Sequence, residues 1–197
     1  MFSPEKISNL IKYNKKFIIP KFIYFDYFSY NLNKKKILDK IKKNFKEKII
    51  IRSASYLEDN EISNAGKYIS VSKVNPKNSS HVSTAIKNVF KSYKSKKNQY
   101  IIVQKMLYNT KLSGVIFNVD RQNALPFTTI NYSTGKQTSL ITSGHTNGRI
   151  ITYLNNHQDK SKNKLIKFSA KINKVLKNRP YDIEFCLDED NKFKIFQ

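Results

Sequence analysis

Acidic side chains are scarce in this chain, fourteen against thirty-seven basic ones, so the place where they cluster is informative. Asp182, Glu184, Asp188, Glu189 and Asp190 crowd into one short stretch near the C-terminal end. The last three fall where a turn is expected, and solvated turn formers are the plain reading of them. Asp182 and Glu184 alternate with Tyr181, Ile183, Phe185 and Leu187, so a strand puts both carboxylates on one face. A hairpin partner then brings Gln197 to that face. A turn centred on Asp190-Asn191 sets Gln197 against Glu184, and a four-residue loop sets it against Asp182. Two carboxylates and an amide oxygen are hard donors that suit Mg²⁺, which takes one or two carboxylates together with waters and substrate phosphates. An amphipathic hairpin with a wet outer face carries the same pattern and is the commoner reason for it.

Arg52 ends a short apolar run, KIIIR, and leads into Ser53, Ala54 and Ser55. An arginine at a strand end, followed by small hydroxyl residues, can reach phosphate oxygens while loop N–H groups support it. The alternative is an exposed arginine paired with Glu58 or Asp59. Ser113-Gly114 interrupts the strand-like run LSGVIFNV, where a glycine marks a bulge or a close approach, a nucleotide base being one candidate for what approaches. His81, His145 and His157 lack metal-ligand spacing and read as surface residues. No Ser-His-Asp order, Walker A loop or GxGxxG fingerprint is present.

The elements that would position these residues can be read from periodicity and end signals. Ser3-Pro4-Glu5 starts a helix, with Ile7, Leu10 and Ile11 inward. Phe17–Phe25 reads as one strand, edge-like at Pro20. Asn33–Phe45 is a basic amphipathic helix with Ile37, Leu38, Ile41 and Phe45 inward. Lys48–Arg52 is a buried strand, 53–66 a polar loop and Lys67–Val74 a strand. Ser80–Tyr93 is a helix burying Val82, Ala85, Ile86, Val89, Phe90 and Tyr93. Strands are expected over 100–106, 112–119, 126–132, 139–142 and 149–154, then a helix over 163–176 and the closing hairpin. The polar run 94–99 is the natural seam, which gives subdomains 1–97 and 98–197.

Composition limits the function classes. At 197 residues, with 26% charged and 39% hydrophobic residues, the chain can bury a core, so it is not a disordered segment. No run approaches the roughly 18 apolar residues of a membrane helix, no signal peptide is recognisable, and no membrane partner is implied. The single Cys186 excludes an internal disulfide and a cysteine-based zinc site, and a cytoplasmic setting is expected. The net charge of +23 suggests a nucleic-acid-binding module as the reading from another class, supported by the basic helix and twenty-five Phe and Tyr residues. The excess is almost all lysine, with only Arg52, Arg121, Arg149 and Arg179 as arginines. Abundant Lys, Asn and Ile match a codon bias toward A and T, and arginine is the usual phosphate and base reader. Nucleic acid is therefore disfavoured.

Three ordered blocks point elsewhere. IIIRSASYLEDNEISNAGKYISV resembles the VRSSATAEDLPDASFAGQ block of the phosphoenolpyruvate synthase and pyruvate phosphate dikinase family. IIVQKMLYNTKLSGVIFNVD resembles its VVVQRMV…SGVMFTRDP block, and YDIEFCLDEDNKFKIFQ its DIEWAIDGDGKLYILQARP block. EKISNLIKYNKKFIIPKFIYF is similar, more loosely, to GGKGANLGEM…VPPGFVIT. The resemblance implies an α+β ATP-grasp fold, two subdomains enclosing a nucleotide cleft, with ATP and Mg²⁺ as cofactors. It implies that Arg52 and Lys6 contact phosphates, and that Gln104, Lys105, Met106 and Leu107, with Ser113 and Gly114, line the adenine and its surroundings. Glu184 and Gln197, supported by Asp182, would hold Mg²⁺ or the ribose and phosphates. The family phosphorylates a histidine on a separate swivelling domain, so histidine-carrier and acceptor domains are the implied partners, absent from this chain. The compact Lys/Asn/Ile-rich style is similar to a branch of that family that phosphorylates the glutamine amide nitrogen in capsule modification. Phosphoenolpyruvate synthases and antibiotic phosphotransferases are the same-fold alternatives. Two departures stand out: no glycines flank Lys6, and Ser133-Thr134-Gly135-Lys136 stands where the family has GLGE.

Overall fold

Side-chain capping and apolar periodicity build the helices of the computed structural model, which describes residues 3–55, 69–93, 99–120, 123–135, 148–155 and 161–197. Helix α1 spans Glu5–Tyr13 and buries Ile7 and Leu10, whereas Ile11 is exposed. Helices α2 (Tyr27–Leu32) and α3 (Lys34–Asn44) follow a short strand, β1 (Phe22–Asp26), and Asp26 caps α2 by accepting the Ser29 N–H at 2.7 Å. Helix α4 (Ser79–Lys91) is capped by Asn78 and α5 (Lys164–Leu176) by Asn163, each side chain accepting a first-turn N–H at 2.9 Å.

The chain forms two compact units, one of Met1–Tyr13 with Pro20–Leu107 and one of Asn14–Ile19 with Tyr108–Gln197. The first contains an antiparallel sheet in the order β1-β4-β2-β3, where β2 is Ile49–Ser55, β3 Val71–Val74 and β4 Gln99–Lys105. Its core joins Ile49 and Ile51 of β2 and Ile101 and Val103 of β4 to Tyr30, Ile41, Val82, Ile86, Val89 and Phe90 of α2, α3 and α4. Alternation along β2 and β4 therefore turns Ile50, Arg52, Ile102 and Gln104 away from those helices.

The second unit contains an antiparallel sheet in the order β7-β6-β5-β8-β9. Its strands are β5 (Thr110–Phe117), β6 (Phe127–Thr134), β7 (Arg149–Leu154), β8 (Asp182–Asp188) and β9 (Phe193–Ile195). Phe168 of α5 stacks on Phe193 at 4.1 Å between ring centres and lies 5.7 Å from Phe185, so α5 covers the face that carries Phe185, Ile183 and Leu187.

The expected strand 17–25 is not one element. Only Phe22–Asp26 joins the first sheet, while Ile18 makes a lone parallel bridge to Lys194 and accepts the Ile195 N–H at 3.0 Å in the second unit. Pro20 has no N–H to continue a ladder, so the chain changes sheets there. Ser53 and Ser55, expected in a loop, extend β2 and are buried. The strand expected over 139–142, all of the expected loop after Ser55, His145 and His157 lie outside the described residues.

Candidate functional site

The candidate residues divide between the two units. In the first, β2 and β4 pair so that Arg52 faces Ile102 and Ile50 faces Gln104. Arg52 and Gln104 thus sit diagonally on neighbouring strands, on the face turned away from α2, α3 and α4, a spacing within reach of long side chains. Gln104 is 1% exposed, and its Nε2 is a buried donor with no hydrogen-bond partner among the described residues. Native structures leave few such groups, so it asks for an acceptor. The Lys6 Nζ donates to the Ser53 carbonyl at 3.4 Å, which brings Lys6 to the residue next to Arg52 without any glycine-rich loop.

The segment after Gln104 is partly committed to the protein. The Lys105 N–H donates to the Lys21 carbonyl at 2.8 Å, the Met106 N–H donates to the Lys48 carbonyl at 3.1 Å, and Met106 Sδ accepts the Lys73 N–H at 3.3 Å. Lys105 points to the other face of the sheet and pairs with Glu47 at 2.8 Å.

In the second unit, Ser113 and Gly114 lie on β5. The close approach at Gly114 is made by the protein itself. A Cβ there would meet the Asn131 carbonyl at 2.3 Å, Tyr132 Cβ at 2.9 Å and the Phe185 ring at 3.0 Å. Gly114 is thus accounted for by core packing beneath α5 rather than by a bound base. Ser113 points to the opposite face, is 1% exposed, and its Oγ has no partner among the described residues.

The hairpin carries Asp182 and Glu184 on the face away from α5, as alternation requires. Its register matches neither expected loop. Leu187 faces Phe193, Cys186 faces Lys194 and Phe185 faces Ile195, so three residues, Glu189-Asp190-Asn191, form the connection. Asn191 takes the left-handed conformation at φ 58° that such loops require, and Asp188 receives the Asn191 N–H at 3.1 Å. Carried on unchanged, that register would place Gln197 against Ile183, on the wrong face. Beyond β9 the hydrogen bonds shift instead: the Glu184 N–H donates to the Gln197 carbonyl at 3.0 Å and the Phe196 N–H to the Glu184 carbonyl at 3.1 Å. Phe196 and Gln197 together oppose Glu184, a bulge pattern that returns Gln197 to the Glu184 position. Asp182 is exposed and Glu184 and Gln197 half-buried, so all three can meet solvent.

Asp188 is not a solvated turn former. It is 8% exposed, pairs with Lys194 at 2.8 Å and accepts the Lys192 N–H at 2.8 Å. Burial opposes its charge, but the Lys194 hydrogen bond, the backbone donors and the Lys194 charge outweigh it and hold the carboxyl below the usual range. Among the described residues no group of three or more His, Cys, Asp or Glu gathers; Asp182, Glu184 and Gln197 offer two carboxylates and an amide oxygen. That donor set fits Mg²⁺, which retains waters and phosphate oxygens in such sites. No described helix is long and apolar enough to cross a membrane.

No family model matches the chain, and no curated protein matches it. Solved structures do. D-alanyl-alanine synthetase A from Vibrio cholerae superposes with a TM-score of 0.54 at 13% identity, over 99% of this chain and 54% of that one. Carboxyaminoimidazole ribonucleotide synthase from Aspergillus clavatus, solved with ATP, gives 0.50 at 12% identity, over 98% and 42%. PH1788 from Pyrococcus horikoshii gives 0.57 at 9% identity, over 98% and 88%. The fold is ATP-grasp. The α+β class expected from the sequence is therefore observed, with an antiparallel sheet in each unit. This ATP-grasp chain spans about half the length of the two named synthases.

One further cluster has no signature in local residue spacing. Asn118, Thr128, Asn155, Asn173 and Tyr181 interlock by side-chain hydrogen bonds beneath α5. They are scattered over sixty-odd positions of chain, and no local spacing links them.

Proposed function

We propose that this ATP-grasp chain binds MgATP and serves as the nucleotide-binding part of an ATP-dependent phosphotransferase. The observation that carries the reading is the placement of Arg52 and Gln104 on one sheet face, with the Gln104 Nε2 donor buried and without a partner among the described residues. An adenine ring nitrogen is an acceptor such a donor can take. The fold likeness to a synthase solved with ATP supports the same reading.

The residue roles follow from their chemistry. Arg52 offers a guanidinium fork to phosphate oxygens, and Lys6 adds a point charge beside it. The Lys105 and Met106 N–H groups are engaged within the protein, so among the described residues of that segment the Leu107 backbone is the one proposed to meet a base. Glu184 and Asp182, with Gln197, would hold Mg²⁺, and the metal when bound would neutralise charge on the transferring phosphoryl group. Phosphoryl transfer of this kind needs clamps and electrostatic stabilisation rather than a protein nucleophile in this unit.

The finer reading rests on the three ordered blocks. It is phosphoenolpyruvate synthase-like transfer to a histidine on a separate domain, with the glutamine amide nitrogen as final acceptor. Release of AMP and phosphate by the complete enzyme would separate it from a ligase, in which attack on the γ-phosphate leaves ADP.

Calorimetric titration of the chain with MgATP, with MgGTP and metal-free ATP as controls, tests the binding reading. Saturable, Mg²⁺-dependent binding is expected, weakened about tenfold or more in Arg52→Ala with an unchanged melting temperature. No binding by the wild-type chain, or wild-type affinity in Arg52→Ala, overturns it.

A further inference from the structure

We propose that the closed ring of hydrogen bonds beneath α5 is a positioning device for the Asp182–Glu184 carboxylate pair. The inference rests on the Mg²⁺ reading of that pair and adds five residues to it. The ring can be followed bond by bond. The Tyr181 N–H donates to Asn118 Oδ1 at 2.9 Å, and the Tyr181 hydroxyl donates to Asn173 Oδ1 at 2.7 Å. Asn173 Nδ2 donates to Thr128 Oγ1 at 3.3 Å, and Thr128 Oγ1 donates to Asn155 Oδ1. Asn155 Nδ2 closes the circuit on the Asn118 carbonyl at 2.9 Å. The remaining Asn118 donor, Nδ2, goes to the Arg179 carbonyl at 2.9 Å. Asn118 and Thr128 are fully buried and Asn173 is 2% exposed.

The bonds end at particular backbone positions. Tyr181 immediately precedes Asp182, and Asn118 immediately follows Phe117, the register partner of Asp182. The ring therefore fixes both chains at the end of the Phe117–Asp182 pair, from the face opposite the carboxylates. Apolar side chains would fill this space without desolvating five polar residues, and a buried polar group is costly unless satisfied. Each bond of the ring has a direction and a length, so it specifies where β8 begins more tightly than apolar packing does. Mg²⁺ demands near-ideal octahedral geometry, so a displaced carboxylate loses metal affinity before the fold is lost.

The test uses the whole chain. Tyr181→Phe deletes one hydroxyl and keeps the ring's apolar bulk, and Asn118→Ala removes the clamp at its centre. ATP affinity is measured across a Mg²⁺ titration and in metal-free buffer, with Glu184→Ala as reference and circular dichroism to verify folding. The expected result is a Mg²⁺ half-saturation raised about tenfold in Tyr181→Phe, with metal-free ATP affinity unchanged. Should Asn118→Ala not fold, Tyr181→Phe alone decides. An unchanged Mg²⁺ half-saturation, or an equal loss of metal-free and metal-dependent affinity, reduces the ring to a structural role and overturns the proposal. Metal-independent ATP binding by the wild type, the same as that of Glu184→Ala, would instead overturn the Mg²⁺ reading on which the proposal stands.

Discussion

Tyr181 and Asn173 meet inside the C-terminal unit, the tyrosine hydroxyl donating to the Asn173 side-chain Oδ1 at 2.7 Å. Burial, with Tyr153 close by, holds that hydroxyl protonated far above the ordinary tyrosine range. Removing it in Tyr181→Phe leaves a buried oxygen unsatisfied and should cost about 1–3 kcal/mol in chemical denaturation. The pH sign follows from the same shift. Above about pH 10 the unfolded chain releases the Tyr181 proton and the folded chain keeps it, so stability falls as pH rises. Tyr181→Phe should lose stability less steeply than wild type between pH 10 and 11. Parallel curves would mean that the hydroxyl is not buried as described.

Gly114 should tolerate no side chain. The atom nearest a new Cβ is the Asn131 backbone carbonyl, at 2.3 Å on the paired strand, and backbone cannot swing aside as a flexible side chain can. Gly114→Ala should destabilise the unit by about 1–3 kcal/mol through overpacking. Gly135, at φ 129° with open space around its missing Cβ, makes a control in which the strain is conformational instead. A Gly114→Ala chain as stable as wild type would show that β5 and β6 pair more loosely than this register.

Cys186 offers a probe of opening. It is fully buried, and burial pushes its thiol up to about 12, with Lys194 pulling down and Asp188 pushing up to a lesser extent. The thiolate is the reactive form, so iodoacetamide at pH 8 should label the native chain only as fast as it opens, and label it promptly in denaturant. Rapid labelling of the folded chain would contradict the burial.

How much of this could be read from residue types depended on the range of the interaction. The amphipathic helix with Val82, Ile86 and Phe90 inward follows from local spacing and is observed as α4. So is the shared face of Asp182 and Glu184, because alternation is local to one strand. The position of Gln197 depended on loop length and a bulge. The three-residue loop moved it to the other face, and the bulge at Phe196 and Gln197 brought it back. Neither step has a glycine to announce it; Asn191 supplies the left-handed residue. Asp188 looked like its turn neighbours, since nothing nearby in sequence marks Lys194 as its partner. The ring under α5 was illegible for the same reason: its members meet only after β5, β6, β7 and β8 have paired.

The Asp188–Lys194 pair should govern the acid limb of stability. Its folded-state carboxyl titrates below the usual range, so its contribution is present above the unfolded value near 4 and is lost as pH falls through the folded value. Asp188→Asn should therefore flatten the fall of melting temperature on acidification below pH 5, while lowering it at neutral pH. An unaltered acid slope in the variant would assign acid sensitivity to other carboxylates.

Gln104 sets stability against binding. Its buried Nε2 has no partner among the described residues, and an unmet buried donor costs about 1–3 kcal/mol. Gln104→Leu keeps much of the volume and removes the polar group, so the chain should melt at the same temperature or higher. If that donor awaits a nucleotide acceptor, the same variant should bind MgATP more weakly, by about tenfold for one lost hydrogen bond. Affinity must fall without a fall in melting temperature. A variant that is destabilised yet binds MgATP as wild type does would place the amide in the framework of the sheet rather than in the nucleotide site. Because Gln104 and Arg52 share a face, the double variant with Arg52→Ala should lose affinity in both increments, each residue meeting a different part of the same ligand.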